Sequence, residues 1–132
     1  MDINIKLAGS LIDAFDSEDT AIVLWDNNDN VLYRNKKTSE RWLQLKLDFE
    51  IGQNFYDRLK KVDALKLLSK QEQNLRKDNY KKAKSSGQSQ QFVIKGPTGR
   101  WVQVKDTPTS EGNMLTLMTN VTDVIDKDKE RQ

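Results

Sequence analysis

The chain has 132 residues, of which 36% are hydrophobic and 32% are charged, and its formal net charge is +2. This length predicts a single domain with a modest hydrophobic core. The absence of cysteine and histidine excludes disulfides, thiolate nucleophiles and histidine chemistry, so it disfavours both an enzyme and a metal site. No apolar run approaches the roughly 18 residues of a membrane-spanning helix, and the N-terminus lacks the layout of a secretory signal. The sequence therefore predicts a cytoplasmic protein.

An apolar stripe marks the first part of the chain. Leu7, Leu11 and Phe15 follow Ile3 at intervals of four residues, which predicts an amphipathic helix. Such a stripe either packs on the sheet of its own domain or pairs with a second copy of itself. We expect residues 1–19 to form an N-terminal cap, with Leu7, Leu11 and Phe15 in the interface of a homodimer.

Two short strands are predicted next, over residues 21–26 and 31–35. The residues between them, Asn27-Asn28-Asp29-Asn30, have short polar side chains that bond their own backbone and tolerate left-handed conformations, which predicts a reversing turn. Asp26 and Asp29 are a conceivable carboxylate pair for acid–base catalysis, but turn chemistry already accounts for both. A short helix is predicted over residues 36–42.

The middle of the chain is predicted to be helical. Asn54 is a candidate N-cap for a helix over residues 55–59. A longer helix is predicted from Asp63 to about Ser86, ended by Gly87. The expected buried face of this longer helix consists of Leu65, Leu68, Leu75 and Tyr80.

The same region is rich in basic residues. Residues 57–84 contain ten lysines and arginines against four acids. A basic segment can mark a nucleic-acid interface, but Tyr80 is the one aromatic residue interleaved with the bases beyond Arg58, which is too few for a stacking platform. We interpret the segment as a solvated helix face, and no nucleic-acid partner is predicted.

The last third of the chain is predicted to be β-structure. In its middle strand, Val102 and Val104 alternate with polar residues, which is typical of a half-buried sheet. Hairpin strands at both ends with helices between them predict an α+β fold, a single five-stranded antiparallel sheet with helices packed on one face. The three C-terminal strands are expected over residues 90–95, 100–107 and 114–121.

Three landmarks occur in a telling order. Residues 22–35 supply an apolar strand, an Asp-rich turn and a strand-terminal Asn. Residues 99–104 read Gly-Arg-Trp-Val-Gln-Val, and residues 120–122 read Asn-Val-Thr. Over about residues 10–125 the chain resembles a PAS domain of the type found in bacterial sensor histidine kinases and diguanylate cyclases. It departs from the family at Asn120, where the terminal Asp-Ile/Val-Thr signature has a charged residue.

The resemblance implies a sensory domain, here over residues 20–125, that regulates a C-terminal effector outside this chain. Residues 126–132 would then begin the linker to that effector. The resemblance also implies that Asn120 and Thr122, and Asp123 as a substitute for the missing charge, transmit the signal. Candidate pocket residues, inward by strand alternation or by their place at the start of a helix, are Leu24, Tyr33, Phe55, Phe92, Val102, Val104 and Leu117.

The resemblance narrows the cofactors as well. Flavin-photoadduct and cinnamoyl PAS domains need a cysteine, and haem-binding ones usually use a histidine, whereas this chain has neither residue. A small organic ligand held non-covalently remains. The alternative is a ligand-free structural dimerisation or protein-interaction module.

Overall fold

The computed structural model describes residues 20–38, 47–96 and 99–130. Within these ranges are five strands and three helices of nine residues or more. They are β1 (Ala21–Trp25), β2 (Val31–Arg34), α1 (Phe55–Ala64), α2 (Lys70–Ser86), β3 (Gln90–Lys95), β4 (Trp101–Pro108), β5 (Met114–Asn120) and α3 (Thr122–Glu130). Residues 36–38 are also helical, at the start of the helix predicted over 36–42.

The predicted N-terminal helix lies outside the described residues, and so do residues 39–42 of the predicted short helix. The assignment of Leu7, Leu11 and Phe15 to a dimer interface therefore stays a prediction. At the other end, α3 runs across the predicted domain boundary at residue 125.

The five strands form one antiparallel sheet in the order β2-β1-β5-β4-β3. β1 pairs with β5 along its whole length, from Ala21 opposite Met118 to Trp25 opposite Met114. This pairing joins the N-terminal hairpin to the C-terminal strands, which are distant in the sequence. The prediction of a single five-stranded antiparallel sheet is confirmed.

One face of the sheet, called the inner face below, carries the hydrophobic core. Phe55 of α1 and both Tyr80 and Ala83 of α2 belong to the same buried cluster as this face, so the two helices cover it. The predicted packing of helices on one face is confirmed. The sheet residues of the cluster are Ala21, Val23, Trp25, Val31, Val104, Met114 and Met118.

The first hairpin turn is held by its own polar side chains. Asp26 Oδ1 accepts hydrogen bonds from the backbone N–H groups of Asn28 and Asn30, both at 2.9 Å. Asp29 has a φ of 67°, a left-handed conformation that aspartate tolerates better than most residues. These are the local bonds that the sequence predicts for an Asp/Asn cluster.

Asn35, the landmark residue after β2, is fully buried. Its Oδ1 accepts from the N–H of Ile22 at 2.9 Å, and its Nδ2 donates to the carbonyl of Thr20 at 2.8 Å. The amide needs both a donor and an acceptor for this bridge. Asn35 therefore fastens the end of β2 to the beginning of β1.

α1 and α2 are separate helices with their own caps. Ser69 and Glu72 form a reciprocal capping box at the start of α2. The predicted single helix from Asp63 to Ser86 is wrong in its first turns, because the chain leaves α1 at Leu65 and Lys66 has a φ of 53°. The Ser-x-x-Glu spacing was the sequence signal for the break.

The later start of α2 also changes its buried face. Gln73 and Ala83 are buried together with Tyr80, whereas Leu65 and Leu75 are 54% and 43% exposed. The predicted face of Leu65, Leu68, Leu75 and Tyr80 is thus correct at Tyr80 but wrong at Leu65 and Leu75. A polar glutamine occupies the place expected for a leucine.

Candidate functional site

Four aromatic rings fill the space between the inner face and the helices. Trp25 makes edge contacts with Phe49, Phe55 and Tyr80, with ring centroids 5.3 to 6.1 Å apart. Phe55 of α1 and Tyr80 of α2 stack at 3.9 Å. The rings are placed by the inward position of Trp25 on β1 and by the Asn54 cap, which begins α1 at Phe55. Aromatic pairs of this kind stabilise a core beyond the area that they bury.

A polar network lies beside these rings and centres on the fully buried Asp106 of β4. Asp106 Oδ2 accepts from Arg76 Nη1 and from Asn79 Nδ2, both at 2.7 Å. Its Oδ1 accepts from the Thr116 hydroxyl at 2.6 Å, and that hydroxyl accepts from Trp25 Nε1 at 2.9 Å. The network therefore connects α2 to three adjacent strands of the sheet.

Sequence reasoning missed this network, although its signal was present. Asp106 continues the alternation of Val102 and Val104, which turns it to the inner face. Arg76 lies one turn before Tyr80 on α2, on the same side of the helix. A charged residue at an inward position of a strand indicates a buried ion pair, because an unpaired charge there is costly.

A second arginine is buried on α1. Arg58 is 5% exposed and lies 3.5 Å above the centre of the Phe49 ring. Its Nη1 donates to the carbonyl of Asp48 at 3.3 Å and to Gln53 Oε1 at 3.5 Å. Burial, followed by repulsion from Arg76, lowers the pKa of Arg58 to about 9 against a weaker attraction to Asp48. Arg58 is therefore still a cation at neutral pH.

Gln73 is the third buried donor of this region. It is 7% exposed and lies one turn before Arg76 on the buried face of α2. Its Nε2 amide group is buried and has no hydrogen-bond partner. A buried amide donor without an acceptor is rare in folded proteins and calls for a physical explanation.

Four of the seven predicted pocket residues lie on the core side. Phe55 and Val104 are part of the buried cluster, and Phe92 and Val102 pack against it. Phe92 lies opposite Val104 in the β3–β4 ladder, which explains why the two share a face. Whether any of these residues contacts a ligand stays a prediction.

Leu24, Tyr33 and Leu117 lie on the opposite face, contrary to the expectation that they point inward. Trp25 is buried in the core on the inner face, so strand alternation turns its neighbour Leu24 away. Tyr33 lies opposite Leu24 in the ladder, and Leu117 alternates with the buried Met118 on β5. The apolar character of this second face hid its orientation in the sequence.

The end of the sheet is bonded directly to α3. Thr122 Oγ1 accepts from the backbone N–H of Trp101 at 2.9 Å and donates to Asn120 Oδ1 at 2.7 Å. Asn120 Oδ1 also accepts from the backbone N–H of Thr122 at 3.0 Å. Asp123 is exposed in the first turn of α3. Of the three predicted transmission residues, Asn120 and Thr122 thus form a junction between β4, β5 and α3.

An open cleft of 350 Å³ lies beside the first hairpin turn. Asp29 Oδ1 accepts there from the Tyr80 hydroxyl at 2.7 Å and from Lys84 Nζ at 2.8 Å. Burial and the contact with the Asp29 carboxylate raise the pKa of Tyr80 above its usual value, so the phenol stays neutral. These bonds tie the β1–β2 turn to the C-terminal half of α2.

Comparisons with known proteins give a clear answer at the level of fold. No protein-family profile matches the sequence, and no curated protein matches it. Many solved structures do match.

Three of these solved structures illustrate the likeness. The PAS domain of a protein from Colwellia psychrerythraea is 17% identical with a TM-score of 0.60, covering 89% of this chain and 98% of that one. The PAS domain of the RpfR quorum-sensing receptor from Cronobacter turicensis, solved in complex with C12:0, is 20% identical with a TM-score of 0.56, covering 80% and 97%. A sensory box sensor histidine kinase from Vibrio cholerae is 14% identical with a TM-score of 0.56, covering 92% and 97%.

The chain has the fold of a PAS domain. The sequence resemblance is thereby confirmed, and the structure explains the one departure from the PAS signature. Asn120 makes its two bonds at the start of α3 through an amide oxygen, as the carboxylate of the family could. The junction is therefore complete without the charge.

Two further properties of this PAS domain bear on its class. Within the described ranges, no group of three or more acidic residues is arranged to hold a metal ion. None of the helices in the same ranges is long and apolar enough to cross a membrane.

Proposed function

We propose that this PAS domain senses a small organic molecule, held non-covalently between the inner face and helices α1 and α2, and passes the state of that site to α3. One relationship carries the proposal: β4 and β5 each take part in both places. Asp106 and Thr116 belong to the network beneath α2, and Trp101 and Asn120 belong to the α3 junction. The two places are about 17 Å apart along β4.

The proposed pocket retains the four predicted residues on the core side, Phe55, Phe92, Val102 and Val104. Leu24, Tyr33 and Leu117 are left out, because the sheet lies between them and the core. The RpfR receptor domain, solved in complex with C12:0, supports a non-covalent ligand in this fold. A ligand of that kind needs neither of the two residue types that the chain lacks.

In this mechanism the ligand biases two arrangements of the sheet and α3. A ligand that changes how Arg76 and Asp106 are held shifts β4 against β5. The Thr122 bonds to Trp101 and Asn120 pass that shift to the first turn of α3. The proposed effector, a histidine kinase or a diguanylate cyclase, follows α3 in a longer parent protein in the cytoplasm.

The experiment combines native mass spectrometry with hydrogen exchange. Native mass spectrometry of the purified chain identifies any retained molecule, and exchange is then measured with and without it. The proposal predicts slower exchange in α2 and a change in α3 on binding. In Thr122→Val the ligand still binds but the α3 change is lost. Binding without any α3 response in the natural protein would contradict the proposal.

A second candidate function is a structural dimerisation or protein-interaction module without a ligand. The outer face of the sheet favours it, since Ile22 is 5% exposed there and its neighbours Leu24, Leu115 and Leu117 are half-buried. Sedimentation of a chain starting at Ser17 tests the predicted interface of Leu7, Leu11 and Phe15. A dimer that becomes a monomer supports this interface, and an unchanged dimer rules it out.

A further inference from the structure

The interior has more hydrogen-bond donors than acceptors. Arg58 and Gln73 are 5% and 7% exposed, and the side chain of Arg76 is 13% exposed. Guanidinium groups only donate, and the Nε2 end of an amide does the same. Asp106 is the fully buried carboxylate among the described residues, and three donors already occupy it.

Gln73 gives the clearest indication of a missing group. Its Nε2 is buried with no partner, and it lies one turn from Arg76 on the face of α2 that is turned to the core. A bound water would satisfy this amide alone. It would not balance the charge of two neighbouring guanidinium groups, which a single anion can do.

The two arginines are placed so that they disfavour each other. Arg76 lowers the pKa of Arg58 by repulsion, in addition to the effect of burial. Arg58 Nη1 is directed at two neutral oxygen atoms, at the long distances of 3.3 and 3.5 Å. Arg76 Nη2 reaches Thr116 Oγ1 only at 3.5 Å. Both groups have capacity for a stronger acceptor.

We propose that the ligand of this domain carries a carboxylate, bound by Gln73 Nε2 together with the guanidinium groups of Arg58 and Arg76. This inference rests on the proposed ligand-sensing function and specifies its chemistry. The carboxylate accepts the hydrogen bond that Gln73 lacks and supplies the negative charge that the second arginine lacks. The aromatic rings of Phe49 and Phe55, each beneath one arginine, bound the same place with apolar surface.

Isothermal titration calorimetry of the full chain tests the proposal. The probes are sodium acetate, sodium butyrate and sodium octanoate, their neutral amides acetamide, butyramide and octanamide, and sodium phosphate. At least one carboxylate is expected to bind at least about tenfold more tightly than its amide, since a charge-assisted bond replaces a neutral one. Equal binding of acid and amide, binding of phosphate alone, or binding of no carboxylate overturns the proposal.

Gln73→Leu supplies the first variant. It removes a donor that has no partner, so the melting temperature of the ligand-free protein is expected to stay the same or rise. The affinity for the carboxylate is expected to fall at least about tenfold. Gln71→Leu, on the exposed side of the same helix, is the matched control and should bind as the natural protein does. Unchanged affinity in Gln73→Leu overturns the proposal.

Gln73→Glu supplies the second variant, because it places a carboxylate beside the arginines permanently. It is expected to raise the melting temperature and to abolish binding of the carboxylate probe, whereas Gln71→Glu does neither. A lower melting temperature in Gln73→Glu overturns the proposal. If a neutral molecule is instead retained in native mass spectrometry and changes α3, the sensor function stands and only the carboxylate is wrong.

Discussion

Asp106 of β4 and Arg76 of α2 form a salt bridge of 2.7 Å in the interior of the domain. The carboxylate is fully buried, and the guanidinium lies 4.8 Å from the centre of the Phe55 ring. Because both charges have left water, each depends on the other. This pair fixes the position of α2 over the sheet.

Removing one partner of the pair is therefore expected to be severe. Asp106→Ala leaves Arg76, Asn79 and Thr116 without their acceptor, so the free energy of unfolding should fall by about 3–5 kcal/mol. Urea unfolding measures the loss. Asp78→Ala, exposed on α2, is the control and should stay within about 0.5 kcal/mol. A loss below 1 kcal/mol in Asp106→Ala would mean that the buried charge is not paired as described.

Tyr80 predicts a dependence of stability on alkaline pH. Its folded pKa is raised above 10, first by burial and then by the bond to Asp29. Above pH 10 the unfolded chain loses the phenol proton while the folded chain keeps it, so the stability contributed by Tyr80 falls as pH rises. The expected slope is about 1.4 kcal/mol per pH unit.

The measurement compares the natural protein with Tyr80→Phe by urea unfolding between about pH 9 and 11. Phenylalanine cannot ionise, so the stability difference between the two proteins should shrink as pH rises above 10. At neutral pH the variant should lose about 1 kcal/mol, the bond to Asp29. A stability difference independent of pH would show that Tyr80 titrates normally.

Asn120→Asp tests the departure from the PAS signature. The carboxylate can accept both bonds from Thr122 and adds a negative charge at the N-terminus of α3, where the helix dipole favours it. The expected gain is about 0.3–1 kcal/mol at low ionic strength, decreasing with added salt. Unfolding in low and high salt measures it. A loss of stability at low salt would contradict the junction described here.

The sequence predicted the sheet well because its information is local and repeated. The strand alternation, the Asp/Asn turn and the reading of Asn35 as strand-terminal each follow from a few adjacent residues. The break between α1 and α2 also had a local signal, the Ser69–Glu72 spacing. It was overridden by the apolar residues Leu65 and Leu68, which suggested a continuing helix.

The functional site was less predictable, because it depends on which residues meet across the chain. Leu24 and Leu117 look like core residues in sequence, and only the pairing of β1 with β5 shows that they face outward. Conversely, Gln73 and Asp106 look like surface residues until α2 is placed over the sheet. Arg58 was read as one of many solvated bases for the same reason.

Thr122→Val tests whether the sheet holds α3. The variant loses the hydroxyl that accepts from Trp101 N–H and donates to Asn120, so α3 should fray at its first turn. The expected cost is about 1 kcal/mol, with faster amide exchange at Trp101. Asp123→Ala, exposed in the same turn, should leave the Trp101 amide protected. Equal exchange in the two variants would show that Thr122 plays no special part.

The account depends most on communication between the α2 network and α3. Proton–nitrogen correlation NMR of Asp106→Asn tests it directly, since amide shifts report the folded state regardless of lost stability. The account predicts that the amides of Trp101, Val121 and Thr122 move although they are about 17 Å away, while Asp78→Asn leaves them in place. If the changes stay within α2 and the adjacent parts of β4 and β5, the sheet does not connect the site to α3.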